Sequence, residues 1–452
     1  MNPTRRDFLK IGAAAGVGVA FSTLKIASAA TAPVTGDART VFRVAPIPTV
    51  RMGFVGVGGM GSVHVQNFLN IDNVVIKAIC DIREDKVARA QQWVEEAGQP
   101  KPAGYSRGAL DFKRMMAEED LDLILTATPW EWHVPVCVEA MKNGKHAATE
   151  VPAAMSLEEC WQLVETAEKT RRHCVMMENC CYGRIELMTL NMVRKGLLGE
   201  VLHAEAGYLH DLREVKFSSE GEGLWRRQHA MKHNGNLYPT HGLGPVAQCM
   251  DINRGDAFDY LVSTSSTSRG LQIYAAEAFG KDSPQGKERF VLGDVNTSLI
   301  KTRNGKTIIL IHDTNLPRPY TRINLVQGTK GIVQKWPDQA YIEGRSPNDE
   351  WEPFENYAPE FEHPLWTKLA AQGEGRGHGG MDFIEDYRLI ECLRTGVPLD
   401  ADVYDAAAWS AVVGLSEASV AQKGRPQAFP DFTRGLWKTN TALGIVGAKS
   451  RL

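Results

Sequence analysis

Gly56, Gly58 and Gly61 stand at G-x-G-x-x-G spacing, directly after an apolar run (Met52 to Val57, interrupted only by glycine) and directly before an amphipathic segment. Strand, glycine turn and helix in that order make a dinucleotide fingerprint. The first glycine permits the tight turn, the second lets backbone approach a pyrophosphate, and the third lets helix pack on strand. The helix N-terminus then offers unpaired N–H groups to the phosphates. A second apolar strand, residues 74–80, ends at Asp81, twenty residues after Gly61. A carboxylate there accepts from ribose hydroxyls and repels a 2′-phosphate, which favours NAD over NADP even with Arg83 two residues on.

The second half carries other reactive types. Trp225-Arg226-Arg227-Gln228-His229 precedes Gly235-Asn236-Leu237-Tyr238-Pro239-Thr240-His241-Gly242, and His378-Gly379-Gly380-Met381-Asp382 comes later. Histidines flanked by glycine predict loop positions near a ligand. His241 and His378 are therefore candidate acid–base groups, since imidazole titrates near neutrality. Tyr320, in Arg318-Pro319-Tyr320-Thr321-Arg322, joins them. No Ser-His-Asp order, P-loop or H-E-x-x-H motif is present. The eight cysteines show no C-x-x-C and no zinc spacing, so they are expected in the core, with no metal site.

Placing these groups requires two domains. Residues 50–180 alternate strand and helix, which predicts a Rossmann doubly wound parallel sheet. Its third strand is expected at 121–126, with Thr128-Pro129-Trp130-Glu131-Trp132-His133 in the following loop beside the cofactor crevice, where Trp130 and Trp132 pack the loop rather than stack on a sugar. A strand at 146–149 leads to Glu150-Val151, and one at 174–177 to Glu178-Asn179. Residues 181–452 show alternating strands near 201–212, 259–268, 297–302, 307–312 and 323–327 and helices at 382–394 and 403–422, which predicts an α/β domain with a large open, mostly antiparallel sheet.

Ahead of both lies an address. Thr4-Arg5-Arg6-Asp7-Phe8-Leu9-Lys10, a weakly apolar stretch and Ala27-Ser28-Ala29 form a twin-arginine signal over residues 1–30, with an extended arm at 31–49. Residues 11–24 are too short for a stable membrane anchor. With 43% hydrophobic and 23% charged residues, the rest is a globular chain. Its formal charge of -3 becomes about -6 once Arg5, Arg6, Lys10 and Lys25 leave with Asp7, so a nucleic-acid surface is not expected.

GVGGMG, the second-strand Asp81, TPWEWH, EVPAA, MENCCYG, NGNLYPTHGLGPV, RPYTR and HGGMD follow the twin-arginine leader in that order. Together they resemble glycoside hydrolase family 109, a branch of the Gfo/Idh/MocA oxidoreductases, over essentially the whole mature chain. The resemblance implies that Gly59, Met60, Asp81, Trp130, His133, Glu150, Val151 and Asn179 line an NAD site. It implies that Tyr208, Arg226, Tyr238 and Tyr320 contact a sugar, with Tyr238, Pro239, Thr240 and His241 bridging the two. Sugar dehydrogenases of the wider group resemble one another in an E-K-P lysine and in an aspartate four residues before the active-site histidine. Here those positions are Val151 and Leu237.

The activity so implied is an exported NAD-dependent α-N-acetylgalactosaminidase working by oxidation, elimination, addition and reduction, with NAD tightly bound and recycled. His241 or Tyr182 would handle the C3 hydroxyl or C2 proton, a tyrosine needing its pKa lowered by a cation such as Arg226; His378 is the further candidate. The competing readings are a periplasmic oxidoreductase passing hydride between sugars, against which Val151 speaks, and a sugar- or NAD-binding protein without catalysis. Expected partners are a small-molecule or glycan substrate and further copies of the chain, with neither nucleic acid nor membrane.

Overall fold

The computed structural model describes residues 44–440 and Ile445. The twin-arginine segment and residues 31–43 of the arm lie outside the described residues. The last part of the arm lies along the domain, where the Ile47 N–H donates to the Leu393 carbonyl at 3.0 Å.

Six parallel strands form the first sheet: β1 (Val50–Val55), β2 (Val74–Cys80), β3 (Ala103–Tyr105), β4 (Leu123–Thr126), β5 (His146–Thr149) and β6 (Cys174–Met176), in the order β3-β2-β1-β4-β5-β6. The order reverses between β1 and β4, where a doubly wound sheet opens its ligand crevice. The strand ends are level: Val55 pairs with both Cys80 and Thr126, Thr126 with Thr149, and Thr149 with Met176. Gly56, Asp81, Thr128, Glu150 and Glu178 therefore emerge along one edge. β1 is almost wholly buried, and Phe54 meets Phe68 of the helix Gly59–Phe68 edge-on at 5.8 Å. Each such ring is worth about 1.5–3 kcal/mol of burial.

Sequence periodicity misses β3, so the strand expected third is the fourth, and it starts at Leu123 rather than at 121. Three residues containing Gly104 are too short to show alternation; they are held by pairing with Ala78 to Cys80 at the sheet edge.

The second sheet has nine strands: β7 (Val201–Leu209), β8 (Phe258–Ser265), β9 (Val295–Thr302), β10 (Thr307–Asp313), β11 (Leu325–Gly328), β12 (Gly331–Gln334), β13 (Gln339–Ile342), β14 (Glu352–Pro353) and β15 (Gln427–Ala428). Their order is β14-β13-β12-β11-β7-β10-β9-β8-β15, antiparallel throughout except for the parallel pair β7 and β10. Alternation decides the faces: Ile308, Leu310 and His312 of β10 are buried, while Leu299 of β9 is exposed. The helical stretch predicted as one element at 403–422 is two helices, Val403–Ser410 and Val412–Ala421, meeting at Ala411.

The helix Thr240–Cys249 crosses β7 so closely that a Cβ on Gly242 would lie 2.4 Å from the Gly207 nitrogen. Only glycine fits, and the approach sets His241 beside Tyr208.

Candidate active site

The glycine turn has the expected geometry. Gly56 adopts φ +81, and a Cβ on Gly61 would lie 2.0 Å from the Gly56 carbonyl. At Gly59 a Cβ would meet nothing, and at Gly58 only the Lys86 ammonium at 3.5 Å. Both face a cleft of about 730 Å³, and no side chain caps the helix N-terminus that opens into it. Asp81 closes one end: its carboxylate accepts from the Val57 and Arg83 N–H groups, both at 2.9 Å. Arg83 itself is tied to Asp85 at 2.9 Å.

From Asp81 the cleft runs along Gly56, Gly58, Gly59 and Met60 to Trp130, Trp132, His133, Glu150 and Val151, with Arg226 and Tyr238 on the facing wall. An open glycine turn, free helix N–H groups and a ribose-binding carboxylate fit a dinucleotide. His133 is fully buried and its ring nitrogens meet the Pro152 and Thr128 carbonyls at 2.8 and 2.9 Å, so it braces the loops of the crevice. Glu131 turns away toward His229, at 3.6 Å. Trp132 packs edge-on to Phe112, as expected of a loop-packing residue. Trp130 does more than pack the loop: it stacks on Tyr238 at 5.7 Å and meets Trp225 at 4.7 Å.

Behind Glu150 lies a group that sequence reasoning missed. The Glu150 carboxylate meets His64 Nε2 at 2.9 Å, while His64 Nδ1 faces Asp386 at 2.8 Å. Asn67 also donates to Asp386, at 2.9 Å. Both ring nitrogens face carboxylates, so both carry protons. Burial opposes the charge, but Asp386 and Glu150 together hold the imidazolium pKa well above its ordinary value.

The sugar-contact candidates gather beyond Tyr238. Tyr208 lies 4.7 Å from Tyr238, 5.5 Å from His241 and 6.0 Å from Tyr320. Tyr238 meets His241 edge-on at 4.9 Å. The Arg226 guanidinium sits over Trp130, Trp225 and Tyr238 at 5.0, 5.0 and 4.8 Å and is held by Glu222 at 2.5 Å. Arg322 donates to the Tyr320 hydroxyl at 3.1 Å. Pro239 and Thr240 begin the helix that carries His241, so His241 stands in its first turn rather than in a loop. Trp225 to His229 are likewise helical, within Gly223–Lys232.

His241 Nδ1 lies 2.7 Å from a Glu178 carboxylate oxygen. Glu178 also accepts from the Cys180 N–H at 3.2 Å, and its burial is outweighed by His241 and these bonds, which keep it below the usual carboxylate range. An ionised Glu178 fixes the proton on Nδ1 and leaves the lone pair on Nε2. The sequence gives no sign of this dyad, whose members are 63 positions apart.

Two candidates fall elsewhere. The Tyr182 hydroxyl points to Asp400 at 3.3 Å, and burial, reinforced by Asp400, pushes its pKa well up. Arg226 sits instead against Tyr238, and there too burial wins: Tyr238 is well above its ordinary value and Tyr208 is raised to about 12. At both tyrosines burial outweighs the Arg226 cation, which by itself acts to lower their pKa. His378 lies in a 3-10 turn with Nδ1 2.9 Å from Asp382, and Asn179 donates to the same carboxylate at 2.6 Å. The hydrogen bond from His378 to Asp382, against burial, raises the His378 pKa.

All eight cysteines are buried and free. Although sequence spacing predicts no metal site, Glu178, Cys180 and His241 place ligand atoms within 4.8 Å of one another.

Fold and cleft together define a parallel-sheet dinucleotide-binding fold joined to an open, mostly antiparallel sheet. Solved structures share it: levoglucosan dehydrogenase in complex with NADH and levoglucosan (TM-score 0.64, 17% identity, 85% of this chain and 100% of that one) and myo-inositol 2-dehydrogenase from Lactobacillus plantarum (TM-score 0.59, 15% identity, 84% and 100%). Residues 50–178 match the oxidoreductase family with NAD-binding Rossmann fold, and residues 182–439 match the glycosyl hydrolase 109 C-terminal domain. The chain is 49% identical to a glycosyl hydrolase family 109 protein of Solibacter usitatus (strain Ellin6076), over 96% of this chain and 98% of that one. It is 47% identical to one of Shewanella pealeana (strain ATCC 700345 / ANG-SQ1), over 99% and 100%. The chain belongs to glycosyl hydrolase family 109. Residues 2–22 match the twin-arginine translocation signal, which directs the protein to export.

Proposed function

We propose that the protein hydrolyses terminal α-linked N-acetylgalactosamine, holding NAD tightly through turnover. The observation that carries this reading is Tyr238. Its ring forms part of the cofactor cleft wall and, on its other side, meets His241 at 4.9 Å. Cofactor site and proton-transfer group thus share one wall.

NAD, when bound, supplies reversible oxidation of a sugar secondary hydroxyl. Asp81 and the glycine turn would hold its adenosine and phosphate portion, and Glu150 and Val151 border the far end of the cleft. Val151 is a buried isopropyl group, so the amine used by the dehydrogenase branch is absent at this position. His241 Nε2 accepts the proton that leaves the sugar, while Glu178 stabilises the imidazolium so formed. Arg226, immobilised by three rings, directs its N–H groups at sugar oxygens, and Tyr208 and Tyr320 pack on the sugar and exclude water. The substrate is a glycan or small glycoside. A second copy of the chain is also proposed as partner, which the exposed Leu202, Tyr260 and Leu299 on the nine-stranded sheet support; light scattering checks it.

The test is proton NMR of an α-N-acetylgalactosaminide with the enzyme in D2O. Released sugar carrying deuterium at C2, without net NADH, is the expected result. Release with C2 still protonated refutes the proton-transfer roles. Accumulating NADH, or reduction of a second sugar, selects the oxidoreductase reading.

A further inference from the structure

Cys180 has no part in the chemistry proposed above, yet it lies beneath the sugar pocket. Its thiol donates to the Asn179 side-chain oxygen at 3.2 Å, and a charge on it would act on Tyr208, Tyr320 and Arg322. Its sulfur, the Glu178 carboxylate and a His241 ring nitrogen all lie within 4.8 Å of one another, with the nitrogen–oxygen pair at 2.7 Å. Zinc bonds of about 2.0–2.3 Å in a tetrahedral site set neighbouring ligands roughly 3.2–3.8 Å apart, between these two values. The set is one imidazole, one thiolate and one carboxylate, which suits a borderline-soft cation and discriminates against Mg²⁺ and Ca²⁺, whose partners are oxygens. Three protein ligands also leave a fourth position for water.

We infer that Glu178, Cys180 and His241 form a binding site for a zinc-like divalent cation, which silences the enzyme by occupying its proton-transfer dyad. The cation takes the lone pair of His241 Nδ1. The ring proton moves to Nε2, where the base's lone pair had been, and the thiol proton leaves to solvent, one proton per cation. Glu178 passes from hydrogen-bond acceptor to ligand. Silencing rests on the reading of His241 as the base; binding does not.

The experiment is titration of the purified protein with Co²⁺, followed by absorption and by turnover. The expected result is a thiolate-to-cobalt charge-transfer band that Zn²⁺ displaces, with activity lost alongside and restored by a chelator. Cys180→Ser should lose the band and tolerate on the order of 10- to 100-fold more Zn²⁺, at least the scale of a lost outer-shell partner. His241→Gln should lose the band as well. No band in the native protein, or identical spectra in the native protein and Cys180→Ser, overturns the site. A Cys180-dependent band with undiminished turnover keeps the site but refutes both silencing and the role of His241.

Discussion

Of the histidines that face carboxylates, His64 and His241 are built for opposite ends. His64, under the cofactor cleft, is fully buried with a carboxylate on each nitrogen, Glu150 on one side and Asp386 on the other. His241, beside Tyr208 and Tyr238, has Glu178 on Nδ1 and aromatic rings around the remainder. Two acceptors lock both protons and make a fixed cation, which holds Glu150 in place. A single acceptor fixes one proton and frees the other nitrogen to take or give one. The number of carboxylates on the ring thus separates a structural charge from a proton carrier.

Substitution breaks this contrast most sharply at His241. His241→Ala should lower kcat by about 10²–10⁴-fold, the range of a lost general acid–base. His64→Asn should act on stability instead. Removing one partner of a buried ionic group costs about 3–5 kcal/mol, read by denaturant unfolding. Glu178→Gln keeps the shape of the dyad but removes its charge. Loss of a charge-assisted bond, about 1.5–3 kcal/mol, should appear in kcat more than in KM and should shift the pH–rate profile.

The smallest effect is a pH dependence of stability. A raised folded-state pKa at His64 contributes stability that is fully present below the unfolded value of about 6.5 and lost as pH rises through the folded value. Glu178, with a depressed pKa, contributes above the unfolded value of about 4.5 and loses that contribution as pH falls through the folded value. His64→Asn should therefore flatten the alkaline limb, and Glu178→Gln the acid limb, in unfolding measured across pH.

The same contrast explains what the sequence disclosed. The glycine turn and Asp81 are legible because strand, turn and helix are contiguous and the work is done by backbone. The sugar-contact roles of Tyr208, Arg226, Tyr238 and Tyr320 come only through family resemblance, since nothing local places four distant side chains together. His64 and Asp386 are 322 positions apart, and no spacing rule connects them. Tyr182 is a related case: it lies four residues after Glu178, and the turn Asn179–Tyr182 sends its hydroxyl to Asp400. β3 escapes periodicity because three residues carry no period.

The most direct test of the contrast is nitrogen NMR of the protein labelled at histidine, followed across pH. His64 should show two protonated ring nitrogens at neutral pH and above. His241 should show a protonated Nδ1 beside an unprotonated Nε2. A neutral His64 at pH 7, or a His241 protonated on Nε2 rather than Nδ1, would contradict the division between fixed charge and proton carrier.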